Sequence, residues 1–316
     1  MRAVVVGAGM SGLVAGRQLV DAGVAVTIVD KGRSPGGRMA TRRIGGATLD
    51  HGAQFFTVRT PAFQRQVDRW LERGLVDVWT HGCGGHDGHP RYVATAGMNS
   101  LAKDLAIGLD VQCSTMAFSV RAAPPTEGAP RWQVVIDDGS IRAADAVVVT
   151  TPLPQAFSLL VDAGIELDEQ LLRTDYDRTI ALLARLDRSP GIAPPGGLQS
   201  PTDDIGFVAD NQAKGISDVP ALTLHASAQW SDEHWERDVD ELHALLLELA
   251  RPLLGSAEVV ESQVKKWRFA TPRSSWPDPC WTSADRSIVL AGDAFDGPRL
   301  EAAHNSGLAA AHALVG

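Results

Sequence analysis

The 316-residue chain is short of several things, and each shortage removes a class of function. Basic residues are outnumbered: 29 Lys and Arg stand against 38 Asp and Glu, a net charge of −9. A nucleic-acid partner would call for a basic stripe, so none is expected. Cysteine is scarce. Cys83, Cys113 and Cys280 are odd in number, far apart and without a CxxC, which fits reduced thiols in a cytosolic compartment and no zinc or other metal site. No stretch approaches the roughly 18 apolar residues of a membrane-spanning helix. A basic n-region and an h-region are also missing, because the first apolar run already reads as a strand, so a cytoplasmic chain that does not engage membranes is expected. Tyrosine is nearly absent, two residues against eight tryptophans. Indoles can line the pocket of a flat aromatic ligand, although most tryptophans are simply core.

What the chain does have is concentrated between Met1 and Asp30. Arg2–Val6 is a β-branched run suited to a strand buried on both faces. Gly7, Gly9 and Gly12 then supply G-x-G-x-x-G, and from Ser11 a helix can run to Ala22 with Leu13, Val14, Leu19 and Val20 as its apolar face. Val24–Val29 forms a second buried strand that ends at Asp30. Gly7 permits the sharp turn, Gly9 lets the backbone approach a pyrophosphate, and Gly12 allows close packing. The helix N-terminus offers unpaired N–H groups and a partial positive charge to the phosphates. A carboxylate about 20 residues on, here Asp30, suits an adenosine ribose. An ordinary βαβ turn also uses glycine, but strand, helix and terminal acid together favour a dinucleotide site. The length allows two domains.

Further along, Lys31–Arg43 (KGRSPGGRMATRR) pairs adjacent glycines, Gly36 and Gly37, with the planar cation of Arg38, a loop able to meet a diphosphate. A basic surface turn would look the same. Helices are predicted over Pro61–Gly74, Met98–Ile107 and Asp238–Leu254, the last with Leu242, Leu245, Leu246 and Leu249 on its buried face and Gly255 at its end. Strands are predicted over Val111–Arg121, Trp132–Ile136, Ala146–Thr150, Thr179–Leu186, Gly206–Ala209, Ala221–Ala226 and Val259–Trp267. His81, His86 and His89 lie in a glycine-rich stretch whose spacing suits a flexible loop better than a metal site.

Two segments then carry a family resemblance. DKGRSPGGRMATRR followed by LDHGAQFFT resembles the renalase branch of the amine-oxidase-like flavoproteins. The resemblance extends through YVATAGMNSLAKDL (Tyr92–Leu105) and KKWRFATP (Lys265–Pro272) to the C-terminal SIVLAGDAFDGPRLEAAHNSGLAAAHAL. One departure is Asp30, where many members of that superfamily carry Glu. The resemblance implies an α/β fold: a Rossmann-type FAD-binding domain with an inserted α+β substrate domain built on an antiparallel sheet. The expected division is 1–58, 95–152 and 268–316 for the FAD domain, and 59–94 and 153–267 for the substrate domain. Non-covalent FAD is implied, held by Gly7, Gly9, Ser11, Gly12, Asp30, Lys31, Gly37, Arg38, His51, Gly52, Gln54, Phe55, Val120, Gly292, Asp293, Glu301 and Ala303. The helix start near Ala303 would aim its dipole at a flavin carbonyl, where reduced flavin carries negative charge. His225, Trp267 and Gln54 are the substrate-pocket candidates. Lys266 invites comparison with the lysine that amine oxidases place near the flavin, against the simpler reading of a solvated strand lysine.

The resemblance implies oxidation of the 2- and 6-dihydro isomers of NAD(P) by hydride transfer to flavin N5, with O2 reoxidising the flavin to give H2O2. Partners are then a small dihydronicotinamide and O2, with the chain a monomer or dimer. A flavin amine oxidase or desaturase is the alternative enzyme. It would favour an aromatic cage, often of paired tyrosines, and only Tyr92 and Tyr176 are present. A non-catalytic flavin-binding module is the alternative of another class.

Overall fold

The structure, a computed structural model, describes residues 1–82 and 88–316. Cys83 and His86, part of the glycine-rich stretch read above as a loop, lie outside the described residues. The chain divides into two compact units: 1–37, 101–175 and 272–316 form the first, and 38–100 and 176–271 the second.

The first unit is built on a six-stranded sheet in the order Trp281–Thr282, Ile288–Leu290, Ala146–Val149, Arg2–Val6, Ala25–Val29, Asp110–Gln112. Its inner pairs are parallel, and only the two-residue edge strand Trp281–Thr282 runs antiparallel. Ala146–Val149 is buried at every position, as a parallel strand covered on both faces should be. The helix Met10–Asp21 packs against the C-terminal helix Leu300–Val315. Small residues set that distance, since a Cβ at Gly307 would stand 2.4 Å from the Ser11 carbonyl oxygen and 3.1 Å from Val14 Cβ. Gly307→Ala is therefore expected to lower stability by about 1–3 kcal/mol through overpacking, read as a lower midpoint in urea. A three-stranded antiparallel sheet of Ala117–Ala122, Trp132–Ile136 and Ile141–Ala144 completes the strands of this unit.

One expectation changes here. The strand predicted over Val111–Arg121 is two strands, because Ser114 takes a left-handed φ of 52° and the Ser114 and Thr115 amides donate to Gly32 and Asp30 carbonyls instead of continuing a ladder. Pro152 is the N-cap and Pro154 lies in the first turn of a helix, Leu153–Leu160, where proline's missing N–H costs nothing.

The second unit centres on a five-stranded sheet in the order Gly197–Thr202, Ile205–Asp210, Ala221–Ala226, Tyr176–Leu186, Val259–Pro272, with antiparallel pairing across the first four. Period-2 alternation gives it two faces. Ile180, Leu182 and Ala184 pack with Leu242, Leu246 and Ala250 of the helix Val239–Leu254, which Asp238 caps through the Asp240 and Glu241 amides at 2.9 Å. Leu183 instead joins Ile44, Ala47 and Leu49 of the hairpin Thr41–Ile44/Ala47–Asp50. That hairpin ends at Asp50, where the second group of candidate residues begins. Among the described residues no helix is long and apolar enough to cross a membrane.

Candidate functional site

In the first unit the glycine turn is shaped by what cannot fit. A Cβ on Gly12 would stand 1.9 Å from the Gly7 carbonyl oxygen, and Gly7 itself has φ +109° with Thr150 Oγ1 2.6 Å from where a Cβ would be. Thr150 Oγ1 bonds the Val6 carbonyl at 3.0 Å, fastening the turn to the neighbouring strand. Around Gly9 the situation reverses: a Cβ there would meet nothing within 4 Å. The first intrahelical bond runs from Leu13 N–H to the Gly9 carbonyl at 3.0 Å, leaving the earlier amides of the helix without a helical partner. Ser11 Oγ lies buried with no hydrogen-bond partner. Open space, unpaired amides, a helix dipole and an orphaned hydroxyl together fit a diphosphate.

The Pro35–Gly37 loop returns to this turn, with Gly36 N–H donating to the Ala8 carbonyl at 2.9 Å and Gly37 close against the Gly9 backbone. Asp30 stands at its strand end, its two carboxylate oxygens accepting from the Ala8 and Gly32 amides at 2.6 Å each. Those bonds orient the carboxylate and leave lone pairs for a ribose. Lys31 beside it is exposed, and Val120 is buried in the three-stranded sheet. At the chain's other end Gly292 N–H donates to Ser306 Oγ at 2.9 Å, and half-buried Asp293 follows. The last helix starts at Leu300, a turn earlier than expected near Ala303. Ala303 N–H already donates to the Arg299 carbonyl at 3.1 Å, so the first turn of the helix precedes it and includes buried Glu301.

The second unit gathers His51, Gln54, Phe55, His225 and Trp267. Gly52 fixes the loop after the hairpin, since a Cβ there would collide with the Arg38 carbonyl at 1.9 Å. Arg38 points its guanidinium at the Ala270 carbonyl, 3.3 Å away, and over the Tyr176 ring. The His51 ring stacks on Trp267 with centroids 5.3 Å apart, and the Trp267 indole N–H donates to the His51 carbonyl at 2.7 Å. Gln54 is buried, and its amide nitrogen reaches the Asp50 carbonyl at 2.8 Å, the Gly52 carbonyl at 3.1 Å and His225 Nε2 at 3.4 Å. Phe55, Trp79 and Phe207 add an aromatic wall with centroid spacings of 5.7 to 6.4 Å.

Both imidazoles are poor bases. Desolvation, helped by the charges of Lys265 and Arg42, lowers His51 to about 4. Desolvation, helped by the charges of His51 and Lys214 and opposed by a ring hydrogen bond to the His51 backbone, lowers His225 to about 4. Between pH 6.5 and 4 the unfolded chain binds protons that the folded chain refuses, so stability falls as pH drops through that window and levels off below it. A loss of about 2 kcal/mol per ring is expected between pH 7 and pH 4.5. Urea midpoints at pH 7 and pH 4.5 should show His225→Gln losing less than the parent by that amount.

Sequence reasoning missed the group beneath this wall. Lys214 and Asp50 are both fully buried and pair at 2.9 Å, although 164 residues separate them. Asp50 also accepts from Thr41 Oγ1 at 2.6 Å and Met98 N–H at 2.8 Å, while Lys214 Nζ lies 3.5 Å from Gln54 Oε1. In sequence Lys214 looks like any solvated turn lysine. Lys266, the lysine singled out above, instead donates to the Trp235 carbonyl and lies over that indole. Strand alternation gives it the face opposite Lys265 and Trp267. The tyrosines are apart from this group: Tyr92 stacks on Phe56, and Tyr176 packs edge-on to Phe269.

Comparison with known proteins places these features. The profile of an NAD(P)-binding Rossmann-like domain matches residues 5–72, and that of the flavin containing amine oxidoreductases matches residues 73–315. Renalase of Mus musculus is 25% identical over 303 residues, covering 88% of this chain and 87% of its own. Hydroxyneurosporene desaturase of Rubrivivax gelatinosus is 47% identical, but over 58 residues that make up 18% of this chain and 11% of its own. Among solved structures, an Exiguobacterium sp. 255-15 protein assigned as a protoporphyrinogen oxidase superposes with a TM-score of 0.72 at 15% identity, covering 99% of this chain and 98% of its own. Putrescine oxidase bound to putrescine gives 0.67 at 16% identity over 99% of this chain and 98% of its own. At these identities the structural likeness establishes the fold.

Proposed function

Because this chain belongs to the flavin containing amine oxidoreductase family and is a flavin-dependent oxidoreductase related to renalase, we propose that it is an FAD oxidase of the 2- and 6-dihydro isomers of NAD(P). FAD, held non-covalently, supplies a hydride acceptor at N5 and a route for two electrons to O2, so that dihydronicotinamide, O2 and one proton become NAD(P)+ and H2O2. In this reading residues 1–58, 95–152 and 268–316 serve the cofactor, and 59–94 and 153–267 the substrate. The open space at Gly9, the first-turn amides and Ser11 Oγ take the diphosphate, and Asp30 takes the adenosine ribose. Gly292 and Asp293 take the hydroxyl-bearing part of the cofactor.

The observation that supports this substrate class is the state of the two imidazoles. A base with a pKa of about 4 accepts almost no proton at pH 7, so His51 and His225 are unsuited to deprotonating an ammonium substrate. A dihydropyridine losing hydride needs no base, because its product is an aromatic cation. It needs an aromatic surface to lie against, for which the stacked His51–Trp267 pair is suited, while Phe55, Trp79 and Phe207 form a cluster of rings tilted to one another. The two tyrosines sit in separate aromatic clusters, which does not favour a paired-tyrosine cage.

The test is oxygen uptake with peroxide detection on purified, FAD-loaded protein. The 2- and 6-dihydro isomers should each give one peroxide per NAD(P)+ formed, with ordinary 4-dihydro NADH and primary amines at least about 100-fold slower, a difference of some 2.7 kcal/mol in transition-state binding. Turnover of amines at the higher rate would replace this reading with an amine oxidase.

A further inference from the structure

The hydrogen bonds around Gln54 fix more than its own position. Its amide end can be assigned without ambiguity: the atom facing the Asp50 and Gly52 carbonyls must be the NH2 group, and the atom facing the Lys214 ammonium must be the oxygen. Lys214 cannot turn away, because its charge is tied to Asp50 at 2.9 Å with both side chains fully buried. The NH2 group therefore lies 3.4 Å from His225 Nε2. The two amide hydrogens go first to the Asp50 and Gly52 carbonyls, so Nε2 meets the NH2 group at longer range; a proton on Nε2 would point at a donor group, whereas a lone pair there can share one of its hydrogens. The strand neighbours of His225 across the sheet are Ala181 and Phe207, which carry no charge. The titratable groups acting on the ring are His51 and Lys214, the latter with its partner Asp50.

We propose that Gln54 is a positioning residue that holds His225 as the neutral Nδ1–H tautomer, with Lys214 and Asp50 anchoring the far end of the amide. His225 then presents an uncharged ring of fixed polarity. Its consequence for substrate rests on the dihydronicotinamide reading above: a neutral ring does not repel the pyridinium cation that the reaction creates, and an imidazolium would. The tautomer itself does not depend on which substrate is correct.

The experiment is long-range 1H–15N correlation on histidine-labelled, FAD-loaded protein between pH 5 and 8, with His225→Gln identifying the resonance. The parent should show protonated Nδ1 and unprotonated Nε2 throughout. Gln54→Leu removes the donor and should give a mixture of tautomers. Gln54→Glu puts a carboxylate oxygen where the donor was, so it should move the proton to Nε2 and raise the ring's titration midpoint by about one pH unit or more. A residue that only filled space would not reverse the tautomer. Nε2–H in the parent, or Nδ1–H retained in both variants, would overturn the assignment. Should the Glu variant not fold, the Leu variant decides. Should the parent oxidise no dihydronicotinamide, the function proposed above fails while the 15N spectrum still decides this point.

Discussion

Replacing Lys214 with methionine is expected to cost about 3–5 kcal/mol of folding stability at pH 7. The size follows from burial. Lys214 and Asp50 are each 0% exposed, so removing the cation leaves a carboxylate with Thr41 Oγ1 and Met98 N–H but nothing to offset its charge. Asp50→Asn alone leaves the reverse problem, a buried ammonium. Removing both charges in Lys214→Met/Asp50→Asn should recover most of the loss, because neither variant side chain demands a counterion. An exposed pair provides the contrast: Arg173 and Glu169 are 75% and 78% exposed, and Arg173→Ala should change stability by no more than about 1 kcal/mol. Urea unfolding of the five proteins measures this. Losses under about 1 kcal/mol for the single Lys214 variant would mean that water reaches the pair.

The second large effect separates two glycines of one motif. Gly12→Val should damage both fold and cofactor binding, because its Cβ would need the 1.9 Å already taken by the Gly7 carbonyl. Gly9→Val should damage cofactor binding alone. Gly9 has an ordinary φ of −80° and nothing within 4 Å of its missing Cβ, so the branch point of a valine side chain has room there. The cofactor-free protein should melt within about 0.5 kcal/mol of the parent, the range of an uncrowded substitution. FAD affinity should fall at least about 100-fold, some 2.7 kcal/mol, because the side chain stands where a diphosphate must approach. Flavin fluorescence quenching gives the affinities, and melting of the stripped proteins gives the stabilities. Equal FAD binding by Gly9→Val and the parent would place the diphosphate elsewhere.

Legibility in the sequence followed locality. Met1–Asp30 could be read because strand, turn, helix and acid lie within one stretch, and each has a period or a breaker that marks it. The Val239–Leu254 helix was legible for the same reason, with Asp238 and Gly255 as its ends. The Gly197–Thr202 strand was not. It is an edge strand with Pro201 and polar side chains, and its register slips between Gln199 and Thr202, so neither alternation nor β-branching announces it. Among the candidate residues named from sequence, Trp267, His51, Gln54 and His225 meet in one group. The Lys214–Asp50 pair escaped because burial of a charge depends on a partner distant in sequence, which no local pattern encodes. Lys266 is exposed, which agrees with the simpler reading of a solvated strand lysine, while strand alternation puts Lys265 on the face of Trp267.

The most direct test of the functional claim is anaerobic rapid mixing of the FAD-loaded protein with equal concentrations of 6-dihydro NAD, 4-dihydro NADH or a primary amine, followed in the flavin's visible band. The account predicts fast bleaching by the 6-dihydro isomer alone, with stoichiometric NAD+, and recovery of colour with peroxide when air is admitted. Bleaching by the amine with none by the 6-dihydro isomer would contradict it, and a protein that purifies without flavin and takes up none would contradict it at the glycine turn.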